Sequence, residues 1–167
     1  IGPEGAPRER MWRVRARQVV LAQGAIERPL VFDGNDRPGV MLSGSARTFL
    51  NRYGVKAGNR VAVVTAHDSA WLAAFDLAEA GVKVAAIVDV RSNASDHLLK
   101  RAKALDIEVL SGWTVTGTGG RLRISSIRAN PVSGSGKVGP ARKIACDTLL
   151  MCGGWTPSIH LHSQSRG

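Results

Sequence analysis

From Val61 to Ala70 the chain reads VAVVTAHDSA, an apolar run broken by a short polar loop and restarted as a helix. Strand, tight loop and helix amino end are the parts from which α/β proteins build a phosphate cradle. In the G-x-G-x-x-G/A pattern the first glycine makes the turn, the second admits the pyrophosphate to bare backbone, and the third position packs helix on strand. Here these positions are Thr65, His67 and Ala70, so only the packing position is kept. β-branched Thr65 tolerates positive φ poorly, and the His67 imidazole stands where a pyrophosphate needs backbone. The helix start still offers amide N–H groups and a positive dipole end worth about 0.3–1 kcal/mol to an anion. Asp68, which reads as its N-cap, already brings a negative charge there. Thr65, Ala66, His67, Asp68 and Ser69 are therefore a candidate cofactor site by position and a poor phosphate cradle by chemistry.

Asp89 ends the next apolar run, about 20 residues after the loop, where an acid accepts the ribose hydroxyls of NAD and repels the extra phosphate of NADP. Arg91 beside it blurs that preference, and a strand-ending or capping role competes with it. His67 is the one candidate base in the loop, and nothing nearby in sequence orients it. Neither a Ser/His/Asp, a Cys/His nor a paired-carboxylate set stands out, so no catalytic residue is assigned. Metal ligands are not assigned either, since the two cysteines and four histidines do not form closely spaced pairs. Trp12, Trp71, Trp113 and Trp155 read as core or interface residues.

These residues need a frame. Ser43–Tyr53 places Ala46, Phe49 and Leu50 at helical spacing, with Ser43 or Ser45 as cap and Gly54 as stop. Arg60–Thr65, a helix over Asp68–Ala80 closed by Gly81, and a strand over Val82–Asp89 make a βαβ unit, which implies a right-handed crossover and a parallel sheet. A helix over Asp96–Leu105 and a strand over Ile107–Leu110 follow. Gly112–Ala129 changes to short alternating segments around Thr118-Gly119-Gly120, the pattern of an antiparallel hairpin or meander. Residues 130–140 form a surface loop, and Arg142–Cys152 reads as one last strand, with Cys146 and Cys152 on one face about 20 Å apart and unable to bridge. The expected class is α/β, a doubly wound Rossmann-like parallel sheet carrying the meander.

VVLAQGA and LLMCGG are apolar enough for central parallel strands. With the crossing at DRPGV they fit one dinucleotide-type domain inserted into another: residues 1–38 a remnant strand and crossing of the outer domain, 39–140 the inserted domain, 141–167 the return strand and tail. The chain opens at Ile1 without Met and stops just after the return strand, so the expectation is an excised piece whose flanking strands have lost their host and whose exposed apolar face self-associates.

At 167 residues and 44% hydrophobic the chain suits one globular domain plus remnants. No apolar run approaches the roughly 20 residues of a membrane span and no secretory h-region is present, so a cytoplasmic source is expected. A net charge of +10 would suggest nucleic acid. Much of the excess, however, lies in RERMWRVRARQ, where Arg13, Arg15 and Arg17 alternate with Trp12, Val14 and Ala16 as on the polar face of a half-buried strand. Nucleic-acid motifs are absent as well.

VAVVTAHDSA resembles the NAD(P)H-domain loop of two-dinucleotide-domain flavoproteins such as the thioredoxin reductase-like family, with Asp68-Ser69-Ala70 matching and Thr65-Ala66-His67 replacing glycines. LAQGA resembles the ATGA segment that leaves their flavin domain. The CxxC of thioredoxin reductases has no counterpart over Met41–Tyr53, which excludes dithiol chemistry. A longer resemblance is to α subunits of heterotetrameric sarcosine oxidase, carried by ERPLVF (27–32), NDRPGVML (35–42), FLNRYGV (49–55), the glycine-poor DSA loop, IACD (144–147) and GGWTPSIHLHSQSRG (153–167).

The resemblance implies a part of an enzyme that demethylates sarcosine to glycine with oxygen and tetrahydrofolate. FAD and FMN would serve in the parent complex, and NAD would be held noncatalytically by the α subunit. The amine-oxidising FAD, the interfacial FMN and the folate chemistry would lie outside this chain, and the glycine-rich motif of the α subunit would lie upstream of Ile1. Only Gly24, Ala25, Gly153 and Gly154 would border that motif's site. The expected role is scaffold and contact surface for the other subunits of a hetero-oligomeric oxidase, inactive alone. Two rivals remain open at this point: a working NAD-binding module using Asp89 and the altered loop, and a basic domain that binds polyanions.

Overall fold

The structure, a computed structural model, describes residues 9–165 together with Gly5 and Pro7. The two chain ends on which the excised-piece expectation rests lie outside the described residues. Ala25–Thr156 is one compact unit, and the residues up to Gly24 together with those from Pro157 form a second.

Within the larger unit, five parallel strands form the central sheet. Its order is β2 (Val40–Leu42), β9 (Thr148–Cys152), β3 (Arg60–Thr65), β4 (Lys83–Asp89) and β5 (Val109–Ser111). The crossovers are α1 (Ser43–Tyr53), α2 (Ser69–Glu79) and α3 (Asp96–Ala104). Gly54 ends α1 at φ 65°, its N–H reaching Leu50 O while that of Val55 reaches Phe49 O, the left-handed closure that only a residue without Cβ takes cheaply.

Alternation along the strands splits the core in two. Val61, Val63, Ile87 and Leu150 pack under Trp71, Phe75 and Leu77 of α2 and Leu98 of α3. Ala62, Val64, Val88 and Leu149 face the other way, onto Ile124, Ile127 and Ile144. That second face is closed by an antiparallel sheet of β6 (Trp113–Gly119), β7 (Ser126–Pro131) and β8 (Arg142–Ala145). The α/β class, the parallel sheet and the meander are as expected. All three crossover helices lie on one face, and the meander takes the place of the second helical layer.

Three expectations about strands need correction. Arg142–Cys152 is two strands rather than one. The chain leaves the meander after Ala145 and enters the parallel sheet at Thr148, turning at Asp147, whose carboxylate accepts the N–H groups of Asn59 (3.0 Å) and Arg60 (3.2 Å). Cys146 and Cys152 therefore sit in opposite halves of the core, not on one face, and both are free thiols. The return strand has not lost its host: β9 is buried throughout and pairs with both β2 and β3 (Leu149 with Ala62, Leu150 with Val63).

The first strand is also shorter than expected. Residues 9–24 carry neither helix nor strand, so the alternating basic segment and VVLAQ lack a ladder, and only β1 (Ala25–Glu27) forms, paired with β10 (Trp155–Pro157). An apolar run becomes a strand only where another strand meets its backbone donors and acceptors. In the smaller unit Ser158 N–H reaches Gly24 O at 3.0 Å, and α4 (His160–Gln164) is a single exposed turn and a half.

Candidate functional site

Register brings the two candidate parts together. β3 and β4 are adjacent and parallel, and Thr65 pairs with Asp89, so the loop after β3 and the acid at the end of β4 stand side by side at the carboxyl edge of the sheet. That edge is where open α/β sheets bind ligands.

The loop is closed on itself. Thr65 Oγ1 accepts the His67 N–H at 2.9 Å and donates to His67 O at 2.7 Å. His67 Nδ1 accepts the N–H of Ser69, the first residue of α2, at 3.1 Å, with Ser69 Oγ 3.0 Å away. Ser69 Oγ also accepts the Trp155 indole N–H at 3.0 Å. Ser69 thus orients His67, contrary to the sequence reading. Asp68 occupies the N-cap position, but its side chain caps nothing. It pairs with Arg91 Nη2 at 2.7 Å, and the capping acceptor is the neighbouring imidazole. Left-handed φ occurs nowhere in residues 65–69, so the loop has been rebuilt as an ordinary turn without the strain glycines would relieve.

Asp89 is fully buried and fully bonded. Its Oδ1 accepts the Arg91 N–H (2.9 Å) and Nε–H (3.0 Å), and its Oδ2 accepts Arg91 Nη2 (2.8 Å) and the Trp71 indole N–H (2.9 Å). Two donors on each oxygen fill the usual capacity of a carboxylate. The Asp89 hydrogen bond, supported by Asp68, raises the Arg91 pKa above its already high ordinary value, so the guanidinium is permanently charged. Strand-ending Asp89 is anchored by the residue that the sequence flagged as blurring its role.

The flanking glycines do something else. Gly153 N–H reaches Arg28 O at 2.7 Å and Arg28 N–H reaches Gly154 O at 2.9 Å, stitching two passes of the chain. A Cβ at Gly153 would lie 3.1 Å from Pro29 O and 3.2 Å from Arg28 O, so close backbone approach explains this glycine. Ala25 is the exposed first residue of β1, and Gly24 lies in the smaller unit.

One functional carboxylate escaped sequence reasoning. Buried Glu27 accepts the Ser43 hydroxyl and the Gly44 N–H (2.8 Å), capping α1 from 17 residues upstream where Ser43 and Ser45 were expected to cap it. No local pattern signals a cap so distant. Beside it, an open groove of about 650 Å³ runs between α1 and Trp155, lined by Arg47, Thr48, Asn51 and Ser69; Asp89 does not border it.

The buried thiols are unreactive by environment. Burial pushes Cys146 up to about 11, and burial likewise raises Cys152. Among the described residues there is no group of three or more metal-ligating side chains, and no helix is long and apolar enough to cross a membrane.

A parallel sheet with helices on one face and a three-stranded meander on the other is the fold of a class of FAD- and pyridine-nucleotide-dependent oxidoreductases. Thioredoxin reductase from T. acidophilum superposes with a TM-score of 0.60 at 16% identity, over 81% of this chain and 43% of that one. An FAD-dependent pyridine nucleotide-disulphide oxidoreductase from Desulfovibrio vulgaris gives 0.65 at 16%, over 91% and 39%. No family model matches.

Sequence similarity is far more specific. The chain matches one segment of sarcosine oxidase α subunits: it is 42% identical over 166 residues to that of Corynebacterium sp. (strain U-96) and 44% identical over 161 residues to that of Rhizobium meliloti (strain 1021). These alignments cover 98% and 96% of this chain but 17% and 15% of the relatives, so the chain spans about a sixth of their length. The resemblance read from the sequence stands.

Proposed function

We propose that this chain is the inserted second dinucleotide-fold domain of a sarcosine oxidase-type α subunit, acting as scaffold and subunit-contact surface in a cytoplasmic flavoprotein complex. The complex would demethylate sarcosine with FAD and FMN held elsewhere. The observation that carries this reading is that Thr65, His67, Asp68, Ser69 and Asp89 are all bonded within the chain, so the polar residues that the register gathers at the carboxyl edge of the sheet are spent on structure. NAD, the cofactor the fold suggests, does not fit a site so filled.

Exposed Phe49 and Tyr53 on α1 and half-exposed Trp155 supply apolar surface for other parts of the complex, and the same surface would drive self-association of the chain alone. In the complete oxidase, His67→Ala should leave sarcosine-dependent oxygen uptake within about twofold, well under the roughly 100-fold lost with a working acid–base group. Phe49→Glu with Tyr53→Glu should release subunits on size-exclusion chromatography. Loss of turnover in an intact His67→Ala complex would overturn the scaffold reading.

A further inference from the structure

We propose that this chain carries its own ligand: the Arg91 guanidinium occupies the ribose position, and the His67 imidazole the pyrophosphate position, of a dinucleotide site whose framework is intact. The inference goes beyond the oxidase assignment, because it would hold in any complex containing this chain.

The framework survives in three respects. The Thr65–Asp89 register keeps the acid beside the loop. α2 still starts at the loop with its first amide turned to an acceptor, the His67 imidazole. Ala70, the packing position, is fully buried. What has changed is the identity of the guests. A ribose would offer hydroxyl donors to Asp89, and Arg91 offers it a planar charged fork instead, with contacts at 3.0 and 2.8 Å. A pyrophosphate would accept the helix amide, and the imidazole nitrogen accepts it instead.

The two guests are held separately: Asp68 and Asp89 hold Arg91, at 2.7 and 2.8 Å, whereas Thr65 and Ser69 hold His67. The Arg91 charge neutralises both acids, which an anionic dinucleotide phosphate could not do. Removing one guest should leave the other in place, so each substitution alone should fail to open the site.

The test uses the 167-residue chain in four forms: unsubstituted, T65G/H67G, R91A and the triple T65G/H67G/R91A. Calorimetric titration with NAD should give no saturable heat with the first three and a micromolar dissociation constant with the triple, with NADP weaker because the Asp89 charge opposes its extra phosphate. Methylguanidinium, a small copy of the missing fork, should raise the melting temperature of R91A saturably and leave the unsubstituted chain unmoved. A cooperatively melting triple variant that ignores NAD would overturn the proposal, as would unsubstituted chain that binds NAD as tightly as the triple. If the triple does not fold, the methylguanidinium titration decides alone: no rescue of R91A rejects the surrogate-ligand assignment. These readouts register binding only, so they fail independently of oxidase turnover and assembly.

Discussion

The two ends of the parallel sheet each spend a carboxylate, and they spend it differently. At the amino edge Asp147 holds backbone, the N–H groups of Asn59 and Arg60 where β3 begins. At the carboxyl edge Asp89 is held chiefly by side chains, Arg91 and Trp71. Backbone partners persist whatever the sequence does, whereas side-chain partners are lost with one codon. The amino edge is architecture, and the carboxyl edge is a binding position closed by replaceable groups.

Substitutions can break that contrast. Arg91→Ala should have the largest effect, because it leaves the buried Asp89 charge without its counterion: about 3–5 kcal/mol lost in urea unfolding at neutral pH. If it costs no more than an exposed ion pair, the carboxyl edge is not closed by this contact. Asp147→Ala should cost about 1–3 kcal/mol, since it strands two amides that solvent partly reaches. An equal loss for the two variants would erase the difference between the edges. Trp71→Phe, which keeps most of the packing and removes one indole N–H donor, should cost about 1 kcal/mol.

A fourth and smaller effect, away from both edges, calibrates the others. Burial works to raise the Asp76 pKa, but hydrogen bonds from Arg47 and Asn51 and the charges of Arg47 and Arg101 outweigh it and hold the carboxyl below its ordinary 3.8. A lowered folded-state pKa means that stability is present above the unfolded value and lost as pH falls through the folded one. Asp76→Asn should therefore flatten the acid limb of the stability curve below about pH 4 by well under 1 kcal/mol, since Arg47 is largely exposed. An unchanged limb would remove the ion pair from the account. At neutral pH neither thiol should react with a disulfide reagent until the chain unfolds, because burial raises both; stoichiometric labelling of the folded chain would contradict the buried placement.

Much of this is legible in the sequence. The βαβ spacing, the lost glycines and the offset of Asp89 are local patterns, and local patterns survive in sequence. The meander announced itself at Thr118-Gly119-Gly120. Three things did not show. Arg142–Cys152 reads as one apolar run, and only Asp147 within it hinted that the chain changes sheets. The Glu27 cap joins residues too far apart for any capping motif. The grip of Arg91 on Asp89 was visible as adjacency, but whether it blurred or abolished the ribose site depended on burial, which register and the Trp71 indole supply. VVLAQ failed in the opposite sense: its apolar pattern was real, but strand formation needs a neighbour that pattern alone does not provide.

The most direct measurement is a calorimetric titration of the unsubstituted 167-residue chain with NAD. No saturable heat is expected, because the ribose and pyrophosphate positions are already filled from within. Saturable binding in the micromolar range, abolished by Asp89→Ala in a chain that still folds, would contradict it and make this a working nucleotide module.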